Sequence, residues 1–197
     1  ERSGLLHELR NLPLRHNQDR RHVVSLVASG VTNKMLNGYL MRDIINRIGS
    51  INFSSTDELH LLSRFYENML KEMRDAAETS GEFYTPRPVV ELMVSLVNPI
   101  LGETVLDPAS GTGGFLVEAF RHLQPQVNNT ADREILQNNS IFGGEAKPLP
   151  FLLCQMNLLL NGLNRPQIAY GNSLTRKLTE IGDSDRVDVI LANPPFG

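Results

Sequence analysis

Residues 104–123 carry the feature that most narrows what this chain can fold into. A short β-rich run, Thr104-Val105-Leu106, meets the string Asp107-Pro108-Ala109-Ser110-Gly111-Thr112-Gly113-Gly114. A helical segment follows at once, with Phe115, Leu116, Ala119 and Phe120 on one face. A strand that turns through glycines directly into a helix opens a βα unit, and repeated units of this kind build parallel sheets. Glycine suits such a turn because it adopts strained dihedrals and lets the backbone approach a ligand closely. Ligands of open α/β sheets bind beyond the carboxyl ends of the strands, where strand order reverses. The turn is therefore a candidate site, although a lone Gly-x-Gly pair is equally compatible with a corner that binds nothing.

The flanking segments fit the same architecture. Thr85-Pro86-Arg87-Pro88 opens a helix carrying Val89, Val90, Leu92, Met93, Leu96 and Val97, closed by Pro99 and Gly102. Ile141-Phe142-Gly143 is a second strand, Pro148–Leu160 a helix stopped by Gly162, and Gln167–Tyr170 a third strand. Val187–Ala192 is a fourth, mostly apolar, as expected of a strand covered on both faces. Residues 124–138 are polar and rich in Asn and Gln, and read as an exposed excursion. The alternation predicts an α/β fold with a Rossmann-like, doubly wound sheet of which about four strands are visible.

Residues 1–80 read as a helical N-terminal domain. Met35, Leu36, Tyr39, Leu40, Ile44 and Ile45 form one helical stripe. Ser55-Thr56-Asp57-Glu58 has capping-box spacing ahead of Leu62, Phe65, Tyr66, Met69, Leu70 and Met73, with Gly81 as the stop. Arg20-Arg21-His22 is a short basic cluster whose plain reading is a solvated helix face. The expected division is 1–80 and 81–197.

The chemistry of the glycine turn excludes two common ligands. Gly-Lys-Ser/Thr is absent, so it is not a phosphate-binding P-loop. Counted from Gly111 and Gly113, the third position of a dinucleotide fingerprint is Leu116. Asp107 at the strand end is also a poor neighbour for a pyrophosphate, but a good one for an ammonium. S-adenosylmethionine carries an ammonium and a sulfonium and no phosphate, and so suits this turn. Glu145, ending the second strand, can accept hydrogen bonds from both ribose hydroxyls, although alone it reads equally as a solvated loop residue. Its separation from Asp107 exceeds the roughly 20 residues usual for such pairs, and the polar stretch accounts for the excess.

The chain's other chemical signal is Asn193-Pro194-Pro195-Phe196 after the fourth strand. Proline cannot extend a ladder, so the strand stops there. The Asn193 side-chain carbonyl and the Pro194 main-chain carbonyl can together accept both hydrogens of a planar amino group, and Phe196 can stack on the ring bearing it. The alternative is a proline turn that merely closes a strand.

Taken together, Gly81 to Arg87, Asp107 to Phe115, Ile141 to Lys147, Asn157 to Gly162 and Asn193 to Phe196 resemble the modification subunit of type I restriction–modification systems, an adenine-N6 DNA methyltransferase. The likeness runs from about residue 50 onward. It implies that Phe83, Tyr84 and Thr85 line the methionine end of S-adenosylmethionine. Asp107, Ala109, Gly111, Thr112 and Gly113 would cradle the cofactor, Glu145 would hold the ribose, and Asn172, where relatives often carry aspartate, would face the cofactor adenine. Ser110 stands where the family often has cysteine. Asn193, Pro194 and Phe196 would hold a flipped target adenine. It further implies DNA as substrate, gripped mainly through a specificity subunit, with a restriction subunit as a further partner.

Charge and composition bear on that picture. The net charge is −3, without the basic excess of a protein that grips DNA by itself. The single cysteine fits a reducing compartment, and no signal peptide or membrane-spanning run stands out, so a cytoplasmic location is expected. The five histidines show no metal-ligand spacing. An apolar strand followed by so little chain is expected to belong to a longer polypeptide. Two other readings remain at this point. The same chemistry can act on glutamine side chains or RNA, or the chain can be a non-catalytic cofactor-binding or assembly piece.

Overall fold

A computed structural model describes residues 5–12, 24–25, 28–29, 37–49, 66, 68, 85–175, 177, 179 and 181–194. Contacts divide the chain into two units, Glu1–Asn68 and Met69–Gly197. They part it some residues before the change of sequence character near residue 81.

In the first unit, helix α1 spans Leu5–Arg10 and α2 spans Gly38–Gly49. Arg10 Nε donates to the Ala28 carbonyl at 3.0 Å, and Ser25 Oγ to the Arg10 carbonyl at 2.6 Å, which ties α1 to residues well along the chain. Ahead of α2, Asn37 Oδ1 accepts from the N–H groups of Tyr39 and Leu40, which otherwise lack partners in a first turn. The expected stripe of α2 forms a helix, but Tyr39, Leu40, Ile44 and Ile45 are exposed. Tyr66 and Asn68 are helical. Ser55 to Glu58, Gly81, Met35, Leu36 and the Arg20-Arg21-His22 cluster lie outside the described residues.

The second unit is the doubly wound α/β architecture. It contains α3 (Arg87–Val97), β1 (Val105–Asp107), α4 (Gly114–Leu123), α5 (Thr130–Asn139), β2 (Ile141–Glu145), α6 (Pro148–Leu160), β3 (Gln167–Tyr170) and β4 (Val189–Ile190). The sheet order is β3-β2-β1-β4, and every pairing is parallel. The chain thus steps outward from β1 through β2 to β3, then crosses back to the other side of β1. Strand order reverses between β1 and β4, which is where such sheets bind ligands.

The core explains the placement of β1. Leu116, Phe120 and Leu123 recur at helical spacing on α4 and are fully buried against Val105, Leu158 and Val94. Each such side chain contributes about 1.5–3 kcal/mol of burial. Pro88 pre-sets the first turn of α3, and Asn98 ends that helix in the left-handed region at φ 49°, its N–H on the Val94 carbonyl at 2.8 Å.

Two expectations are corrected. Residues 124–138 are mostly exposed, as expected, but they carry regular structure that the sequence reading lacks: Gln124–Gln126 is a 3-10 turn and Thr130–Asn139 is α5. The Asn129 side chain caps α5 by accepting from the Asp132 N–H at 3.0 Å, and Leu136 alone on it is buried. One cap and one anchor suffice once the helix lies on a sheet, but they leave almost no apolar period to read. The fourth strand is shorter than Val187–Ala192 and is not covered on both faces, since Ile190 is 62% exposed. Among the described residues β4 pairs only with β1, so it is an edge.

A side-chain clasp sets the start of β4. The backbone N–H and the hydroxyl of Thr104 both donate to Asp188 Oδ2 at 2.8 Å, while the Asp188 N–H donates to Thr104 Oγ1 at 2.9 Å. These donors hold the Asp188 carboxyl below its ordinary range. Asp188→Ala removes the clasp. Hydrogen exchange should then quicken at the Val189 and Leu191 amides, which bond to Thr104 and Leu106, and stay unchanged along β2. Unaltered exchange at both amides would refute a register role for the clasp.

Candidate active site

The glycine turn is built by hydrogen bonds that begin at the last residue of β1. The Ala109 N–H donates to Asp107 Oδ1 at 3.0 Å and reverses the chain, and Ser110 Oγ donates to the Asp107 carbonyl at 2.8 Å. The Ser110 N–H reaches across to the Gly144 carbonyl on β2 at 2.9 Å, and the Gly113 N–H closes the turn on the Ser110 carbonyl at 2.7 Å. Gly113, at φ 83°, leads into α4. A Cβ there would lie 2.8 Å from Cys154 Sγ, so both conformation and the close approach of α6 require glycine.

Glu145 is the main tie between β2 and the turn. Its Oε2 accepts from the Gly111 N–H and its Oε1 from the Lys147 N–H, both at 2.8 Å. Its carbonyl accepts from the Gly171 N–H at 2.9 Å, just past β3. Each carboxylate oxygen keeps further acceptor capacity. Asn172 lies on the same rim, exposed, where its Oδ1 accepts from the Leu174 N–H at 2.9 Å and starts a short 3-10 turn.

The Asn193-Pro194 corner faces the same rim. β1 and β4 are parallel neighbours, with Leu106 opposite Ile190, so Asp107 and Asn193 leave the sheet on one side. The half-buried Asn193 donates from Nδ2 to Thr85 Oγ1 at 3.1 Å. The amide nitrogen is thereby engaged, and the carbonyl oxygen is left to accept. Pro194 is exposed. Phe83, Tyr84 and Phe196 lie outside the described residues. Ala109, Gly111 and Thr112 stand in the turn itself, and Ser110 is buried beneath it.

Two further residues hold the turn, and the sequence motifs give neither of them that role. Ser173 Oγ donates to the Pro108 carbonyl at 2.7 Å, and Asn157 Nδ2 to the Thr112 carbonyl at 2.9 Å. Both reach the turn from elements distant in sequence. Asn157 does carry a signal: with Gln155 it is one of two polar amides in a helix that is otherwise apolar. Among the described residues no group of histidine, cysteine and carboxylate side chains could hold a metal ion, and no helix is long and apolar enough to cross a membrane.

Comparison with known proteins is consistent across sequence and structure. The family profile for N-6 DNA Methylase matches residues 57–197. The EcoEI type I restriction enzyme methylase subunit of Escherichia coli is 46% identical over 180 residues, covering 90% of this chain and 36% of that protein. A crystal structure of the modification subunit assigned to a type I restriction enzyme of Vibrio vulnificus YJ016 superposes with a TM-score of 0.85 at 61% identity, over 98% of this chain and 40% of that one. A chain from a structure addressing complex assembly and conformational transition of the type I R-M system gives 0.82 at 37% identity, over 98% and 39%. The chain therefore spans well under half the length of the relatives it matches.

The electrostatics of the turn are strained. Asp107 is only 2% exposed. Burial pushes its carboxyl up to about 7, the Ala109 N–H opposes the shift, and the charge of Glu145 adds to it. Burial, then the charges of Asp107 and Glu145, push the Cys154 thiol up as well. Unfolded, Asp107 loses its proton near 3.8; folded, it keeps it to about 7. Within that window the folded state binds more protons, so stability falls as pH rises, by at most roughly 1.4 kcal/mol per pH unit. Asp107→Asn should flatten this slope. Urea unfolding of both proteins from about pH 4 to pH 8 checks it, and parallel stability curves would refute it.

Proposed function

The chain belongs to the N-6 DNA methylase family, and from that premise we propose that it carries the cofactor turn and the acceptor corner of a DNA adenine-N6 methyltransferase acting as the modification subunit of a type I restriction–modification system. The observation that carries this reading is the shared rim: Asp107 and Asn193 leave adjacent parallel strands at the point where strand order reverses.

Enzymes of this family use S-adenosylmethionine in general. The residues present fit that group. Asp107 is a buried carboxylate whose neighbours are a backbone N–H and a second carboxylate, an arrangement that a cationic ligand relieves. Gly111 leaves open space beside the backbone, and the Glu145 oxygens have acceptor capacity left for ribose hydroxyls. Asn172 is the candidate for the adenine end, and Phe83, Tyr84 and Thr85 for the methionine end. When bound, the cofactor supplies a methyl group activated by its sulfonium.

The chain's own residues would act on the other reactant. A target adenine has to leave the duplex to reach any such site. Its amino group would donate one hydrogen to Asn193 Oδ1 and one to the Pro194 carbonyl, with the ring stacked on Phe196. This aims the nitrogen lone pair along the line of transfer. Both oxygens also stabilise the positive charge that builds on the nitrogen as the new bond forms, and the proton is then lost to water. Thr85 holds the Asn193 amide in the orientation this requires. No metal and no covalent intermediate is needed. Sequence recognition and most of the grip on DNA belong to a specificity subunit, in keeping with a net charge of −3, and a restriction subunit would complete the complex. The setting would be the cytoplasm. Family membership favours DNA over glutamine or RNA as the methyl acceptor.

Asn193→Ala in the full-length subunit, assayed with its specificity subunit on duplex DNA, should abolish methyl transfer and leave cofactor affinity intact. Thr85→Val should lower kcat by about tenfold, the worth of one orienting hydrogen bond. Turnover at the wild-type rate by Asn193→Ala would sink the assignment.

A further inference from the structure

One polar network outside the assigned residues runs from the outer side of α4 into the glycine turn. Arg121 Nη2 donates to Asn161 Oδ1 at 2.6 Å. Asn161 Nδ2 donates to Asn157 Oδ1 at 3.1 Å and to the Asn157 carbonyl at 2.8 Å. Asn157 Nδ2 then donates to the Thr112 carbonyl at 2.9 Å. Donation runs one way along the series, from a cation to a carbonyl of the turn, and bonds linked like this polarise one another.

The placement is specific. Asn157 is 6% exposed, on a helix whose other buried residues are mostly apolar, so its amide is held out of water at a cost unless paired. Its pairing is with the turn. One helical turn earlier on α6, Cys154 packs on Gly113. The Gly113 N–H is already fixed on the Ser110 carbonyl. The Thr112–Gly113 peptide is thereby held at its carbonyl, its N–H and its next Cα, and α6 supplies two of the three restraints.

We propose that Asn157 is a positioning residue for cofactor binding, which keeps the Thr112–Gly113 peptide in its ligand-ready conformation before any ligand arrives. The inference rests on the reading of this turn as the S-adenosylmethionine site. Preordering a loop acts on affinity, because the ordering cost is no longer met on binding. Asn157 bonds to the turn and Asn193 to Thr85, so loss of the Asn157 donor should act on cofactor affinity rather than on the chemical step at saturating cofactor.

Asn157→Leu keeps the branching of the side chain and removes the donor. Calorimetry of S-adenosylmethionine with the full-length subunit should show Kd weakened by about tenfold, while kcat at saturating cofactor stays within about twofold. Asn161→Asp keeps the acceptor for Arg121 and removes the donor to Asn157. Its site is only partly buried, and it should weaken Kd by about threefold. Asp107→Ala is the control: wild-type affinity in that variant means the turn is not the cofactor site. If Asp107→Ala loses binding while Asn157→Leu and Asn161→Asp bind as wild type, the positioning role is wrong and the site stands. A fall in kcat at unchanged Kd also overturns it. Should Asn157→Leu fail to fold, Asn161→Asp decides by the same criterion.

Discussion

The parallel register of β1 between its two neighbours is the constraint on which the site depends. Val105 pairs with Ile141 on one side and Val189 on the other. This single alignment brings the ends of three strands, and so Asp107, Glu145 and Asn193, to one rim. Side chains alternate along a strand, so a slip of one residue would turn Asp107 to the opposite face. The structure restrains the register at both ends of the short ladder. Thr104 and Asp188 clasp at its start, and the Leu191 N–H donates to the Leu106 carbonyl just past its end. A two-residue strand needs such help, because it has few ladder bonds of its own.

That geometry forces two carboxylates into one neighbourhood. Backbone N–H groups hold both of them: Ala109 on Asp107, Gly111 and Lys147 on Glu145. Backbone donors are fixed in place and carry no side-chain entropy, so they orient the carboxylates at little cost. The remaining tension stays on Asp107, the more deeply buried of the two. A carboxyl perturbed by burial and a neighbouring charge is common at functional sites, which is in keeping with the cofactor role proposed for this turn.

Much of this was legible from residue patterns, and the gaps have physical causes. The strand–turn–helix at 104–123 was plain because glycines, β-rich residues and a helical stripe met within it. Helix ends at Pro148 and Leu160 were marked by proline before and glycine after. Helix α5 was hidden because a single buried leucine and an asparagine cap leave no period. The openness of β4 was hidden because an apolar strand looks alike whether or not both faces are covered. Glu145 was marked as a ribose ligand from its place at a strand end, but its hold on Gly111 spans 34 residues and no spacing rule predicts it. Thr85 was assigned from resemblance to the cofactor's methionine end, whereas its hydroxyl meets Asn193 across 108 residues. Contacts of that range belong to the tertiary fold, and motif reading assigns the residue without its partner.

The Thr85 contact has a structural consequence. Two separate routes join the acceptor corner to the glycine turn. One passes through the sheet, from Asn193 back along β4, across to β1 and out at Asp107. The other leaves Asn193 through Thr85, runs along α3, crosses to α4 where Val90 and Val94 pack into the core with Phe115 and Leu116, and returns to Gly113. The Arg87–Glu118 ion pair at 3.5 Å reinforces that crossing. Together the routes close a ring of constraints around the space between donor and acceptor. Either alone would leave a hinge, because β4 is short and Thr85 precedes its helix. Closed on each other, they fix the separation of the glycine turn and Asn193 by rigid elements on both sides. The direct transfer proposed above would gain from this, since a misplacement of about 1 Å can cost on the order of a hundredfold in rate.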